Sequence, residues 1–386
     1  MKLIELHLLQ SFPGTCLNRD DVGAPKSILF GGVNRARVSS QCWKRAIREL
    51  AMKYAPENFA GKRGKYHTET LEKMMIELGI DPDSAKILAS EALLAYSKND
   101  DNKKEKSDQN NSKDKKKDQD DGKTPVALYF TPNELATIAQ NLKNEVYDKF
   151  TDQSKDRKEN KKITDKIKKA ITKAIKNTPP HDFADIAIMG RMVAADPSLM
   201  LEGAGMFSHA ISTHAVANEI DFFSAVDDTQ PLDTAGAGHI GTLEMNSACY
   251  YRYIGLNIDL LFDNDHLGKL ESPERKAILA TFLKAVIEAV PGARKNSMFG
   301  FTRPQFVLGL VRTGQPLSLA NAFEEPVQLG KKGGYVSESI EKLNEHLDKL
   351  QNEYDLKKTV DCEGRISDKL PLDAWIEKMI TSALEG

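Results

Sequence analysis

Basic side chains gather in one early segment of this sequence, FGGVNRARVSSQCWKRAIREL, which runs from residue 30 to residue 50. The only acid in the segment is Glu49, close to its end. A spread-out row of lysines and arginines suits the phosphates of a polymer, because such contacts hold a nucleic-acid backbone without reading its bases. The segment therefore predicts a groove for a nucleic-acid backbone, and the alternative is an ordinary solvated helix face.

Two short elements are expected to position these cations. NRARVS alternates like a strand and would place Arg35 and Arg37 together on one face. Ser39 or Ser40 is suited to cap a following helix, whose apolar stripe begins at Trp43. The face opposite that stripe carries Gln41, Lys44, Arg45 and Arg48.

Three further features favour phosphate binding. Gly31 and Gly32 lack a Cβ and would let a backbone approach closely. The helix N-terminus offers unpaired N–H groups and the positive end of a dipole. Between residues 19 and 48 there are seven basic and only two acidic residues, although the whole chain has a net charge of -2. The excess is local, which matters for a polyanionic partner.

Two adjacent aromatics, Phe222 and Phe223, lie in a polar, glycine-rich segment, and Met192 follows Arg191. Such apolar side chains usually belong to a core. Beside a nucleic acid, they can instead wedge between bases or stack on them.

No motif in the sequence marks a catalytic or cofactor site. His209 and His214 are five residues apart, which is wrong for two ligands on one helical face. The four cysteines, Cys16, Cys42, Cys249 and Cys362, have no metal-ligand spacing and are expected to be reduced thiols of a cytoplasmic protein. There is no P-loop and no GxGxxG after a strand, so we expect no metal, no cofactor and no enzyme.

The hydrophobic patterning predicts an α+β protein with a helical insertion. Helices are expected at residues 40–54, 68–96 (two), 131–177, 272–290, 336–354 and 371–384. Strands are expected at residues 2–10, 34–39, 182–192 (DFADIAIMGRM), 251–262, 298–302 (MFGFT) and 306–312. Residues 97–123 include no apolar and no aromatic residue and are expected to be disordered.

A series of longer motifs resembles one known family. CLNRDD, FGGVNRARVSSQCWKRAIR, GRMVA, HAISTHAVANEIDFFSAVDD, GHIGTLEMNS, VPGARKNS and PLSLANAFE occur in this order. They cover the first fifty residues and most of residues 185–325. The sequence is similar to the backbone subunit of the type I-E Cascade complex of CRISPR immunity.

The resemblance implies a modified ferredoxin-like (RNA-recognition-motif-like) palm with two additions. The palm would comprise residues 1–58 and 181–386. A helical fingers insertion would occupy residues 59–180, and an extended thumb would occupy about 211–247. The ten basic residues between 155 and 176 lie in the fingers, where their charge would attract duplex DNA.

The resemblance also implies a function without catalysis. Copies would stack head-to-tail along a CRISPR RNA, together with other Cascade subunits, and the guide would pair with target DNA. No membrane is involved. The residues expected to bind RNA are Arg19, Lys26, Gly31, Gly32, Arg35, Arg37, Ser40, Gln41, Lys44, Arg45, Arg48, Arg191, Met192, Phe222, Phe223, Arg294 and Lys295.

Two other functions stay open at this point. An endoribonuclease of the same broad fold would process precursor RNA, but it usually needs a general base such as histidine. No histidine lies in or beside residues 30–50 in the sequence. A generic single-strand-binding protein would coat unrelated RNA and DNA without preference for CRISPR RNA.

Overall fold

The computed structural model describes residues 1–97, 123–148, 157–193, 196–225, 239–294 and 296–385. The disorder expected for residues 97–123 therefore falls almost entirely outside the described residues. The same holds for Lys295, one of the residues expected to bind RNA.

The chain forms two compact units. The first, called the sheet unit, consists of Met1–Tyr54, Gly205–Leu260 and Ser272–Gly386. The second, called the helical unit, consists of Ala55–Ala204 and Leu261–Glu271.

The sheet unit is organised around an antiparallel sheet in which nine strands are seen within the described residues. Its strands are β1 (Lys2–Thr15), β2 (Ser27–Phe30), β3 (Val33–Val38), β6 (Gly205–Phe207), β7 (Ala210–Ser212), β8 (Glu219–Ala225), β9 (His239–Asn257), β10 (Phe306–Thr313) and β11 (Val360–Arg365). Their order is β11-β10-β1-β9-β7-β3-β2, and β6 and β8 also pair with β9. The strand β4 (Lys62–Gly64) pairs with β5 (Leu128–Phe130) in the helical unit.

Helices cover both faces of this sheet. They are α1 (Ser40–Tyr54), α8 (Ser272–Glu288), α9 (Val336–Glu353) and α10 (Leu372–Glu385). On one face, Tyr251 of β9 packs in a cluster with Leu343 and Leu347 of α9. On the other face, the Arg252 guanidinium lies 4.0 Å from the ring centre of Trp43 in α1. This two-sided cover explains why β1, expected to be half-buried, is buried along nearly its whole length.

The helical unit has its own core. Its helices are α2 (His67–Glu77), α3 (Pro82–Ser97), α4 (Pro132–Leu142), α5 (Arg157–Asn177) and α6 (Ala184–Met189). One face of α5 is apolar and buried: its side chains are Ile163, Ile167, Ala170, Ile171, Ala174 and Ile175. At the start of α4, Thr131 and Glu134 form a reciprocal capping box.

The α+β class is confirmed, and so are the predicted helices of the described residues, but three strand predictions were wrong. Residues 184–189 form α6, because an apolar run buried on every side carries no period that separates helix from strand. β9 ends at Asn257, and the single-turn helix α7 (Ile258–Leu261) follows. Residues 298–302 form a loop.

His7 is a buried, uncharged histidine of β1. The Tyr251 hydroxyl accepts the Leu319 N–H at 2.9 Å and shares a hydrogen bond of 2.9 Å with His7 Nδ1. Burial, and secondarily the Arg312 charge, lowers the pKa of His7 to about 3. In the unfolded chain His7 binds a proton near pH 6.5, whereas in the folded chain it does so only near pH 3. The free energy of unfolding therefore falls as the pH falls from about 6.5 toward 3.

The free energy of unfolding of the wild type is therefore expected to fall by about 2 kcal/mol more between pH 7 and pH 5 than that of His7→Gln. The glutamine side chain can still form a hydrogen bond with the Tyr251 hydroxyl, in either direction, but does not titrate. Urea titrations at both pH values measure the difference. Parallel pH dependences of the two proteins would show that His7 takes up its proton in the folded state.

Candidate nucleic-acid interface

A tight hairpin turn joins β2 to β3. Gly31 and Gly32 form a two-residue loop between the paired residues Phe30 and Val33, with φ of 59° and 76°. Two positive φ values in a row characterise the hairpin turn that favours glycine. A Cβ on Gly31 would lie 1.6 Å from the Glu324 carbonyl oxygen, whereas one on Gly32 would meet nothing within 4 Å. The backbone that approaches Gly31 closely is thus that of Glu324 in this chain. Of the two glycines, Gly32 is the one with open space beside its Cα.

Arg35 does not lie on the surface, contrary to its expected place in the groove. Its side chain is fully buried. Its guanidinium donates to four backbone oxygens, those of Phe30, Ser212, Phe323 and Glu324, at 2.8–3.3 Å. Burial lowers the pKa of Arg35, partly opposed by the Glu324 carboxylate. The guanidinium ties the β2–β3 hairpin to two distant segments, so we withdraw Arg35 as an RNA contact.

The start of α1 presents side chains to solvent as expected. The Ser39 hydroxyl accepts the Cys42 N–H at 3.3 Å, which makes Ser39 the capping residue and Ser40 the first residue of the helix. Gln41 and Arg45 are exposed, and Lys44 and Arg48 are half-buried. The Arg45 guanidinium is paired with Glu49 at 2.7 Å. Lys44 Nζ lies 5.0 Å from a ring centre, that of Phe207, and burial lowers its pKa.

Arg37 lies beside a histidine that is distant in sequence. The pairing of β3 with β7 brings Arg37 opposite Ile211, and its Nη1 then donates to His209 Nδ1 at 3.4 Å. Burial, followed by the charges of Arg37 and Lys26, lowers the pKa of His209. The sequence gives no local signal for this neighbour, because the contact depends on strand pairing.

Neighbouring cations extend from Arg37 to the first half of α1. Burial raises the pKa of the Cys42 thiol, and the nearby charges of Arg45 and Lys26 oppose that shift. Cys42 also lines a shallow depression with Arg19 and Arg294. We call Arg19, Lys26, Arg37, Arg45 and Arg294 the basic row.

Arg294 has an unusual backbone. Its φ is 49°, a backbone conformation that residues other than glycine rarely adopt. Its carbonyl oxygen accepts the N–H groups of Ser297 and Met298 at 3.1 and 2.8 Å, which closes a tight turn. Strained positions of this kind concentrate at functional sites.

The hairpin of β8 and β9 separates the two adjacent aromatics. Phe222, opposite Thr242, is 66% exposed and shares its face of the strand with the exposed Ile220. Phe223 turns to the other face and covers Gly241, where a Cβ would lie 2.6 Å from its ring. Phe222 is therefore the aromatic presented to solvent.

Arg191 and Met192, both in the helical unit, have opposite surroundings. Arg191 is buried, and its guanidinium forms an ion pair with the buried Glu134 at 2.5 Å and lies 5.4 Å from the ring centre of Phe183. Arg191 is therefore also withdrawn as an RNA contact. Met192 is 82% exposed and retains that role as a prediction.

One protein-family model matches nearly the whole chain. The model of the CT1975-like protein family matches residues 4–374, nearly the whole chain. The chain belongs to the CT1975-like protein family. A search of curated proteins gives no match for this CT1975-like protein.

Two solved structures are similar to this CT1975-like protein over its full length. A chain of a "CRISPR RNA-guided surveillance complex, pre-nicking" is 27% identical, with a TM-score of 0.77, covering 99% of this chain and 100% of that one. A chain of a "CRISPR RNA-guided surveillance complex" is 22% identical, with a TM-score of 0.58 and the same coverage, and supports the fold alone.

The surface of this CT1975-like protein is suited to binding a polyanion. The basic row contains four guanidinium groups and one ammonium group, the kinds of side chain that can contact phosphates. Within the described part of the chain, no group of three or more His, Cys, Asp or Glu side chains could hold a metal ion. None of the helices described is long and apolar enough to cross a membrane.

Proposed function

We propose that this CT1975-like protein is a CRISPR-RNA-binding subunit of a type I-E surveillance complex. Copies stack head-to-tail along the guide RNA and form the backbone of the complex, beside other subunits. The protein does not cut RNA, and the bound guide pairs with target DNA. The basic row carries this proposal, because a group of exposed and half-buried cations on the sheet unit suits a polymer of phosphates. Likeness to a chain of an RNA-guided surveillance complex supports it.

In this proposal, residues 1–58 and 181–386 form a ferredoxin-like palm that holds the guide backbone. Residues 59–180 are the fingers, whose exposed lysines on α5 attract target DNA. The thumb, at about 211–247, carries Phe222 toward the bases, where an exposed ring can displace or stack on a nucleotide.

The decisive test is the mass of the complex. Purified protein is mixed with CRISPR RNAs of two guide lengths, and size-exclusion chromatography with light scattering measures the particles. We expect assemblies that require RNA and grow by whole protomers as the guide lengthens. A matched RNA without CRISPR repeat sequence serves as the control. A mass of one protomer per RNA at both lengths would rule out the stacked backbone.

The position of His209 favours one competing function. No histidine lies beside the basic segment in the sequence, but in the folded chain His209 contacts Arg37. Burial and the charges of Arg37 and Lys26 lower the pKa of His209, which favours the neutral imidazole that a general base requires. An endoribonuclease would cut precursor RNA at one site and lose this cleavage in His209→Ala. The scaffold proposal expects intact RNA with both proteins.

A further inference from the structure

Two exposed aromatic rings lie in the loop that was expected to form a strand at residues 298–302. Phe299 is 74% exposed and Phe301 is 47% exposed. Their ring centres are 5.1 Å apart and their planes are inclined by 29°, which is a stacked arrangement. Since each ring covers only one face of the other, the pair leaves aromatic surface open to solvent.

The backbone that carries these rings is firmly attached to β1. Gly300, between them, is buried, and a Cβ there would lie 2.3 Å from Thr15 Cγ2. The Thr302 hydroxyl donates to the Ser11 carbonyl oxygen at 2.8 Å, and the Gln10 amide donates to the Thr302 carbonyl oxygen at 2.7 Å. The loop therefore holds the rings outward, at a low entropic cost for a ligand that stacks on them.

Cations lie beside one ring of this aromatic pair. Phe301 lines one depression together with Arg45 and Arg303. Both guanidinium groups are well exposed, although each contacts a carboxylate: Arg45 pairs with Glu49, and Arg303 pairs with Glu288 at 3.0 Å. The turn closed by the Arg294 carbonyl leads directly into Phe299. Aromatic faces flanked by arginines are the combination that binds single-stranded nucleic acid.

We propose that Phe299 and Phe301 form a stacking platform for a base of single-stranded RNA. Arg294 and Arg45 bind the phosphates on either side of that base. This platform is separate from Phe222 on the β8–β9 hairpin, and it rests on the proposed function, since it assumes that RNA follows the basic row. A base stacked here would fix the position of the strand along the row, which phosphate contacts alone do not do.

The test compares wild type and Phe299→Ala on two single-stranded RNA oligonucleotides of equal length, one of ordinary uridines and one in which the central nucleotides are abasic. We expect Phe299→Ala to bind the uridine oligonucleotide about tenfold more weakly than wild type and the abasic one equally well, because stacking requires a base. Phe299→Trp should restore the affinity. Tyr354→Ala, which removes another exposed aromatic of the sheet unit, is the matched control and should change neither affinity.

Four results would overturn the platform. Equal binding of the uridine oligonucleotide by wild type and Phe299→Ala would leave the ring without a role in RNA binding while the proposed function stands. An equal loss on both oligonucleotides would place the effect in the fold. A loss of self-association with unchanged RNA affinity would assign the rings to a protein contact. Failure of the wild type to bind either oligonucleotide would remove the proposed function and the platform together.

Discussion

The Arg35→Ala variant is expected to lose about 3 kcal/mol of its free energy of unfolding. The substitution removes a buried guanidinium and leaves the four carbonyl oxygens that it contacts without that donor. Each buried acceptor without a partner costs about 1–3 kcal/mol, and water that enters the vacated space recovers part of the sum. Urea titration followed by circular dichroism measures the loss.

Arg37→Ala is the matched control for this prediction. Arg37 is two residues further along β3, is half-buried, and donates to the Ser27 carbonyl oxygen and to His209, both at 3.3–3.4 Å. We expect its unfolding free energy to stay within about 1 kcal/mol of wild type. The two arginines look equivalent in the sequence, so the pair separates a structural role from a surface role. Equal urea midpoints for Arg35→Ala and wild type would contradict the buried network.

The helices could be predicted from sequence because each carries its own evidence. Trp43, Ile47 and Ala51 recur with the helical period and are buried in α1. The same reasoning failed at residues 184–189, where every position from Ala184 to Ile188 is buried and the period is lost. It failed at residues 298–302 because apolar residues normally signal burial, whereas Phe299 and Phe301 are exposed.

Of the candidate site, the sequence predicts the residues that are close together in the chain but not their contacts with distant segments. The cations on α1 follow one another in sequence, and helical spacing places them on one face. Whether an arginine is exposed depends on residues far away: Arg35 is enclosed by carbonyls near residues 212 and 323, and Arg191 by Glu134. The contact between Arg37 and His209 likewise arises from strand pairing across 172 residues. Long-range pairing of this kind leaves no pattern in a single sequence.

Removing three cations of the basic row should weaken RNA binding by a similar factor for every guide sequence. In the variant Lys26→Ala, Arg37→Ala, Arg45→Ala, three side chains that can contact phosphates are lost. For single strands the slope of log affinity against log salt falls by about 0.7 per contact, so the triple variant should show a slope smaller by about two. Fluorescence anisotropy with two unrelated guides over a range of salt concentrations measures both effects. A loss confined to one guide would show that these residues read bases.

The matched control removes the same charge from the helical unit. Lys162, Lys166 and Lys169 are exposed on α5, and their triple alanine variant has the same net charge as the first. If binding depends on a groove, the α5 variant should retain most of the affinity and salt slope for guide RNA, because its lysines lie outside the basic row. If binding depends only on total charge, the two variants should lose affinity equally. That equality would contradict the basic row as the RNA site, because it would make position irrelevant to the attraction.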